Sequence, residues 1–474
     1  MGTISSSGST IVTANYSRFR RRIILGVLAL VVVVAAAVTS VVVVTGGGDG
    51  GAPVATVPDA KLPTVGDPPP VLASLSSSAP APTPAALAAT LSPLLQSSAL
   101  GSSVEAEVVD VATGKTLLDR GAGTPATPAS TAKLLTSVAA LTALGPEKTL
   151  ATTVVAGAQP GQVVLVGGGD PTLSTTSPSR NYPGAATVAD LAKQVKTALG
   201  GAAVSSVVVD DSLYSGPLTA AGWGPGDAPS SYAAPVTAAS VDGARVSPDS
   251  VDRSGSPATD AGRALAAALG APGATVSLGT APSGARTLGT VHSAPISRII
   301  EQALAQSDNM LAEALARQVA IARHLPASFD GAAQAVTGAL RDAGVDVSGV
   351  SLHDGSGLAK ADKVPPALLA TLLDDAATGK IPRAWPIVSG LSVAGFDGTL
   401  ADRADDNPGT SPGAVRAKTG TLAGVHNLAG TVLTKDGRLL VFAVVADRTT
   451  GGDDAAEAAL DRIASALAGC GCRS

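Results

Sequence analysis

Residues 128–138 read Pro-Ala-Ser-Thr-Ala-Lys-Leu-Leu-Thr-Ser-Val. The apolar residues Leu134 and Val138 recur at helical spacing, so we predict a helix that begins at or near Ser130. Ser130 and Lys133 would then lie three residues apart on one helix face, close enough to share a proton. The serine would also lie at the helix N-terminus, where free N–H groups favour developing negative charge. The stretch therefore predicts a nucleophilic serine that is activated by a lysine base.

The N-terminal part of the chain has the composition of a membrane anchor. Residues 23–44 form an uncharged, largely apolar run of 22 residues, and about 20 are needed to cross a bilayer. Four arginines in residues 1–22 precede the run, which places the N-terminus in the cytoplasm. We therefore predict a cytoplasmic tail (1–22), an uncleaved single-pass anchor (23–44) in the cell membrane, and a body outside the cytoplasm. Secretion after signal cleavage near residues 35–37 is the alternative.

Composition divides the rest of the chain into a linker and two kinds of folded segment. Residues 45–83 are rich in Gly, Pro, Ala and Ser and predict a flexible or semi-extended linker. Short Val-rich strands alternate with Gly/Pro/Ser loops over residues 151–289, which we interpret as an inserted domain. Helical and strand patterns flank this insert over residues 84–150 and 290–474. We predict that the two flanking segments form one discontinuous domain.

Charge and residue counts exclude several partners. Residues 45–474 hold 28 basic and 37 acidic side chains, a net charge of −9, which argues against binding nucleic acid through bulk charge. The four histidines are scattered and fit no metal motif, and we expect neither a metal nor a cofactor. The only cysteines, Cys470 and Cys472, either form a local disulfide or remain two tail thiols.

Two further motifs follow the serine motif in chain order. Ser307-Asp308-Asn309 lies between two segments of helical periodicity, and Lys418-Thr419-Gly420-Thr421 lies in a predicted strand. Lys133 is the one lysine with a serine three residues before it, and Lys418 alone begins Lys-Thr-Gly. The order is S-x-x-K on a helix, S-x-N between helices, and K-T-G on a strand.

This triple resembles the motif set of penicillin-binding proteins, and of one family in particular. The chain is similar to the low-molecular-mass D-alanyl-D-alanine carboxypeptidase/endopeptidase family, which carries an insert after the serine motif. The resemblance covers residues 84–470 and includes the segments 168–173, 210–214 and 354–358. It implies a transpeptidase/β-lactamase-like α/β (α+β) fold, with an antiparallel sheet, flanking helices, an all-helical lobe and the inserted small domain. The active site would lie between the sheet and the lobe.

The same resemblance implies a function. The chain would be a serine-type D-Ala-D-Ala carboxypeptidase, with DD-endopeptidase activity as a possible addition, acting on peptidoglycan stem peptides. The reaction would pass through an acyl-enzyme on Ser130. β-Lactam antibiotics would be covalent inhibitors, and the predicted anchor would hold the enzyme on the outer face of the membrane, where peptidoglycan is found.

On the helical side of the site, the resemblance assigns the chemistry to four residues. Ser130 would attack the substrate, and Lys133 would act as its base. Lys133 can do so only as a neutral amine, and burial plus a nearby cation such as Lys418 would lower its pKa. Ser307 would pass a proton to the leaving amine. Asn309 would orient Lys133 and the substrate amide.

On the strand side, the resemblance assigns substrate binding to residues 418–421. Lys418 and Thr419 would bind the carboxylate of the terminal D-Ala. Gly420 would let the substrate backbone lie against the strand. The backbone N–H groups of Ser130 and Thr421 would form the oxyanion hole.

Two other functions are compatible with parts of the pattern. Ser-Asp-Asn at residues 307–309 is a form common in class A β-lactamases. However, 177 residues separate Ser130 from Ser307, and no glutamate lies between Glu313 and Glu457 to deacylate such an enzyme. A non-catalytic cell-wall-binding scaffold is the second alternative, but a scaffold would not need a serine paired with Lys133.

Overall fold

The computed structural model describes residues 78–403 and 412–472. The predicted cytoplasmic tail and anchor, and all of the predicted linker before residue 78, lie outside these residues. Among the described helices, none combines the length and the apolar character that crossing a bilayer requires.

The elements of the described residues are as follows. The strands are β1 (Val104–Asp110), β2 (Lys115–Arg120), β3 (Ala151–Ala156), β4 (Gln162–Val166), β5 (Ser206–Asp210), β6 (Thr275–Leu278), β7 (Thr287–His292), β8 (Ser392–Val393), β9 (Val415–Leu422), β10 (Val425–Leu433) and β11 (Leu439–Ala446). The α-helices are α1 (Pro84–Leu95), α2 (Lys133–Leu144), α3 (Val188–Leu199), α4 (Pro257–Ala268), α5 (Ile296–Ala305), α6 (Asn309–Ala322), α7 (Phe329–Asp342), α8 (Pro366–Thr378), α9 (Trp385–Ser389) and α10 (Asp453–Ala468).

A six-stranded antiparallel sheet forms the centre of the larger part of the fold. Its strand order is β2-β1-β11-β10-β9-β8, and the predicted hairpin at residues 435–438 joins β10 to β11. Successive side chains of a strand point to opposite faces. Phe442 and Val444 therefore pack against α1 and α10, whereas Val441 and Val445 face the helical lobe. The predicted antiparallel sheet with flanking helices is confirmed.

The helical lobe is built around α2. Its side chains Leu134, Leu135 and Val138 are fully buried among the apolar faces of α5 to α8. A short 3₁₀ helix, Ala129–Ala132, comes directly before α2. Helical structure thus begins next to Ser130, as predicted, but its first turn is wound in the tighter 3₁₀ form that is frequent at helix N-termini, and the α-helix itself begins at Lys133.

The insert forms a second sheet of mixed direction. Its strand order is β6-β5-β4-β3-β7; β4, β5 and β6 are parallel, and β3 pairs antiparallel with both β4 and β7. The helices α3 and α4 cover it, with Leu191 and Leu265 buried against the strands. The last strand, β7, ends at His292, beyond the predicted limit at residue 289, because it pairs with β3 through Ala151.

The two cysteines are joined as a Cys470–Cys472 disulfide, the first of the two predicted alternatives. Cys470 is buried in the apolar layer between the sheet and its outer helices. The Cys472 carbonyl accepts a hydrogen bond from Thr83 N at 2.8 Å. The C-terminal segment is thereby attached to the residue that caps α1.

Candidate active site

Ser130 and Lys133 lie at the point where the chain enters α2. In a 3₁₀ helix, residues three apart lie directly above one another, and Lys133 Nζ is 2.8 Å from Ser130 Oγ. Thr131 Oγ1 donates to the Pro128 carbonyl at 2.6 Å and holds the turn closed. Ser130 is partly exposed, whereas Lys133 is fully buried. The serine faces the solvent and the lysine lies behind it.

Two carbonyl oxygens fix the amine of Lys133 from the other side. Its Nζ donates to Asn309 Oδ1 at 2.6 Å and to the Ser356 backbone carbonyl at 2.9 Å. A carbonyl oxygen can only accept a hydrogen bond. A neutral Lys133 would therefore use its two N–H groups on Asn309 and Ser356, and its lone pair would point at Ser130 Oγ. That arrangement can remove the serine proton.

Burial lowers the pKa of Lys133 to about 8, against the carboxylates of Asp354, Glu313 and Asp308, which raise it. Loss of hydration disfavours the charged ammonium. Burial therefore lowers the pKa of Lys133 as predicted, but the neighbouring charges that act on it are the three carboxylates and not the predicted cation Lys418. A substantial neutral fraction is available near pH 8.

Ser307, Asp308 and Asn309 form the S-x-N turn between α5 and α6. Ser307 has a φ of 53°, in the left-handed region that is uncommon for a residue other than glycine. Asp308 caps α6, because its Oδ1 accepts from Met310 N at 2.9 Å. This turn brings Asn309 to Lys133, 176 residues earlier in the chain.

The strand β9 supplies the opposite wall of the site. Lys418 is fully buried, and its Nζ donates to the Thr419 backbone carbonyl at 2.8 Å. Burial lowers the pKa of Lys418 well below its usual value, and the charge of Lys133 lowers it further. Thr419 Oγ1 donates to Thr399 Oγ1 at 3.0 Å.

Gly420 has a packing role that the sequence did not indicate. A Cβ atom placed there would lie 2.9 Å from the Pro128 carbonyl oxygen and 3.3 Å from Ala129 Cβ. Contacts this short force the neighbouring atoms to move. Glycine at this position thus lets β9 lie directly against the turn that carries Ser130.

A cleft of about 1530 Å³ connects these elements. Its lining includes the predicted site residues Ser130, Ser307, Asn309, Thr419 and Thr421. The two lysines, fully buried, lie behind that surface. The cleft lies between the six-stranded sheet and the helical lobe, and the insert contributes one side of it.

Sequence reasoning missed the carboxylates that hold the Ser356 carbonyl in place. Asp354 accepts hydrogen bonds from the backbone N–H groups of Ser356, Gly357 and Ala359 at 2.6–3.1 Å. Glu313, also fully buried, accepts from Gly355 N at 3.0 Å. An aspartate before Gly-Ser-Gly is a known signal for a side-chain-capped turn, but nothing in the sequence connected that turn to Lys133.

Comparison with known proteins identifies the family. The profile of the D-Ala-D-Ala carboxypeptidase 3 (S13) family matches residues 87–256 and 250–467. The chain belongs to this family. It is 42% identical over 426 residues, 88% of this chain and 90% of the relative, to the carboxypeptidase DacB of Mycolicibacterium smegmatis.

More distant members show the same relationship. This chain is 30% identical over 446 residues to a D-alanyl-D-alanine carboxypeptidase of Actinomadura sp. strain R39. The match covers 76% of this chain and 80% of the relative. Penicillin binding protein 4 (dacB) from Haemophilus influenzae superimposes with a TM-score of 0.65 at 22% identity, over 80% of this chain and 98% of the other. That structural match confirms the predicted fold class.

Proposed function

We propose that this S13 carboxypeptidase removes the terminal D-Ala from peptidoglycan stem peptides through an acyl-enzyme on Ser130. The observation that supports this most directly is the set of contacts at Lys133 Nζ. Two fixed carbonyl acceptors leave the lone pair of the neutral amine directed at Ser130 Oγ, 2.8 Å away. A serine hydroxyl needs such an adjacent base to become a nucleophile.

The first chemical step forms the acyl-enzyme. Lys133 takes the proton from Ser130 Oγ as the oxygen attacks the carbonyl carbon of the scissile D-Ala-D-Ala bond. The resulting oxyanion is stabilised by the backbone N–H groups of Ser130 and Thr421. Ser307 relays the proton held by Lys133 to the leaving amine, the C–N bond breaks, free D-Ala departs, and Lys133 is again neutral. Water then hydrolyses the ester, and Ser130 regains its proton.

Substrate orientation depends on the strand wall. Lys418 and Thr419 bind the carboxylate of the terminal D-Ala, and Asn309 binds the substrate amide while holding Lys133. Cleavage of the cross-linked D-Ala bond, the DD-endopeptidase reaction, would use the same groups. β-Lactams would acylate Ser130 through the same step and block it.

The location of the enzyme is a separate proposal. The uncharged run at residues 23–44, preceded by four arginines, supports a single-pass membrane anchor. The N-terminus would lie in the cytoplasm, and the enzymatic part of the chain would lie outside it. The anchored protein would sediment with membranes and be digested by protease added to intact spheroplasts. Recovery of the full-length protein from the cytosol would contradict this.

The test of the activity uses Ser130→Ala. This variant should lose both covalent labelling by a fluorescent penicillin and release of D-Ala from a defined pentapeptide, because the nucleophile is absent. Ser137→Ala, at a buried position on α2, serves as a control for the loss of a serine hydroxyl elsewhere in the lobe. Labelling that persists in Ser130→Ala would refute the assignment.

Mass spectrometry of the products from a pentapeptide and from a cross-linked dimer separates the two peptidase activities.

A further inference from the structure

One buried carboxylate of the S-x-N turn, that of Asp308, contacts the insert. Asp308 Oδ2 accepts hydrogen bonds from Tyr182 Oη at 2.8 Å and from Arg253 Nη2 at 3.1 Å. Both donors belong to the insert. The other oxygen of Asp308 caps α6 through Met310 N. A single side chain thereby joins the insert to the first turn of the helix that carries Asn309.

This link is buried and charged. The side chains of Arg253 and Asp308 are 5% and 2% exposed, and Arg253 Nη1 also donates to the Gly243 carbonyl. Although burial raises the pKa of Asp308, the guanidinium groups of Arg253 and Arg245 hold it below its usual value. Removal of one partner from such a pair leaves an uncompensated charge in the interior. Arg253 is the nearer of the two cations that neutralise Asp308, since Arg245 Nη2 lies 3.9 Å from the same oxygen.

Further contacts from the insert reach the other groups that hold Lys133. Asn309 Nδ2 donates to the Tyr232 backbone carbonyl at 3.2 Å. Trp223 Nε1 donates to Asp354 Oδ2 at 2.8 Å, and Asp354 holds the turn whose Ser356 carbonyl accepts from Lys133. Both carbonyl acceptors of the lysine are thus supported from the insert.

We propose that the insert positions the catalytic lysine, with Arg253 and Tyr182 as positioning residues that act through Asp308 and Asn309. The proposal rests on the proposed function, since it concerns the base of that reaction. A displacement of about 1 Å at a reacting group can cost about 100-fold in rate. An insert that only controlled access of the peptide would change KM and leave the acylation chemistry unaltered.

The test compares Arg253→Met and Tyr182→Phe with a matched control in the same insert. Arg263→Met removes an arginine of α4 whose side chain is 64% exposed and pairs with Asp260 at 2.8 Å. The readout is the rate constant for acylation by a fluorescent penicillin, measured on the fraction of enzyme that is labelled at the end point. Unfolded protein does not enter that fraction, so a loss of stability alone does not lower the rate constant.

We expect acylation of Arg253→Met to be slower on the order of 10- to 100-fold, with a smaller decrease for Tyr182→Phe and none for the control. Arg253→Lys, which keeps a positive charge, should recover part of the rate. For the peptide substrate, kcat should fall while KM changes little.

Acylation of Arg253→Met at the wild-type rate would overturn the proposal. If that variant does not fold, Tyr182→Phe decides in the same way, because it removes a single hydroxyl group and a wild-type rate would exclude the coupling. A wild-type protein that binds no penicillin would instead refute the proposed function. The two failures therefore give different results.

Discussion

Lys133 and Lys418 are both fully buried at the same site, yet their surroundings differ. Three groups from three segments fix the amine of Lys133, and carboxylates lie behind it. Among the described residues, the hydrogen bond of Lys418 Nζ goes to the carbonyl of the next residue in its own strand. A fixed set of acceptors holds an amine for proton transfer. Burial disfavours the charged form of Lys418, and an arriving substrate carboxylate would supply the acceptor and the negative charge that stabilise its proton.

The largest expected effect is that of Lys133→Met. Without the base, the acylation rate of Ser130 by penicillin should fall by roughly 100- to 10,000-fold, the usual contribution of a general base. The thermal unfolding temperature should fall as well, because the buried acceptors Asn309 Oδ1 and the Ser356 carbonyl lose their donor. The rate constant is therefore measured on the fraction of enzyme that is labelled at the end point.

A suitable control for this variant is Lys148→Met, at an exposed position before β3. Penicillin should acylate this variant at the wild-type rate. If Lys133→Met also did so, Lys133 would not be the base, and the contrast between the two buried lysines would disappear.

An intermediate effect is expected for Lys418→Met, and it should depend on the substrate. For a peptide with a free terminal carboxylate, kcat/KM should fall by roughly 10- to 100-fold, which corresponds to the loss of a hydrogen bond to a charged group. A peptide amidated at its C-terminus lacks the charge and should lose much less. The measurement is the ratio of kcat/KM for the two peptides.

Lys435→Met, at the exposed first position of the hairpin turn, should leave that ratio unchanged. An equal loss on both peptides in Lys418→Met would show that Lys418 supports the site in general and does not recognise the carboxylate.

The smallest expected change, about tenfold for a step of one pH unit, is in the pH dependence of acylation. In the proposed mechanism the neutral amine of Lys133 is the reactive form, and its fraction rises with pH through a pKa of about 8. The rate constant should therefore fall about tenfold per unit on the acid side of pH 8 and level off above it. A profile that stays flat from about pH 6 to about pH 9 would be incompatible with Lys133 as the base.

Glu313→Gln sharpens this measurement. The amide oxygen can still accept from Gly355 N, but the negative charge that raises the pKa of Lys133 is lost. The midpoint of the pH profile should move to lower pH. A shift in the opposite direction would mean that Glu313 acts on Lys133 through the position of the Ser356 carbonyl and not through its charge.

Local patterns predicted the elements and the motif residues. Helical spacing after Ser130, the turn at residues 435–438 and the period-2 strands near Lys418 each depend on near neighbours in sequence. The structure brings the three motifs on those elements together around one cleft, as the family resemblance implied. The sequence also identified Asn309, because S-x-N lies between two strongly periodic helices.

Other parts of the site depend on contacts that no local pattern contains. The acceptor at Ser356 is a backbone carbonyl, so the residue type at that position carries no signal. The Arg253–Asp308 pair joins residues 55 positions apart, one in the insert and one in the S-x-N turn. Gly420 is required by the closeness of Pro128, which becomes visible only once β9 lies against the serine turn.

The hydrogen bonds of Lys133 span 3, 176 and 223 residues of sequence. A chain still being synthesised has the serine and lysine long before it has Ser356 or β9. Such long-range contacts form late in folding. A partly folded molecule would therefore hold the nucleophile without its base in place, and it would remain chemically inert. Reaction with penicillin would then require complete folding, so the amount of covalent label would measure the amount of fully folded protein.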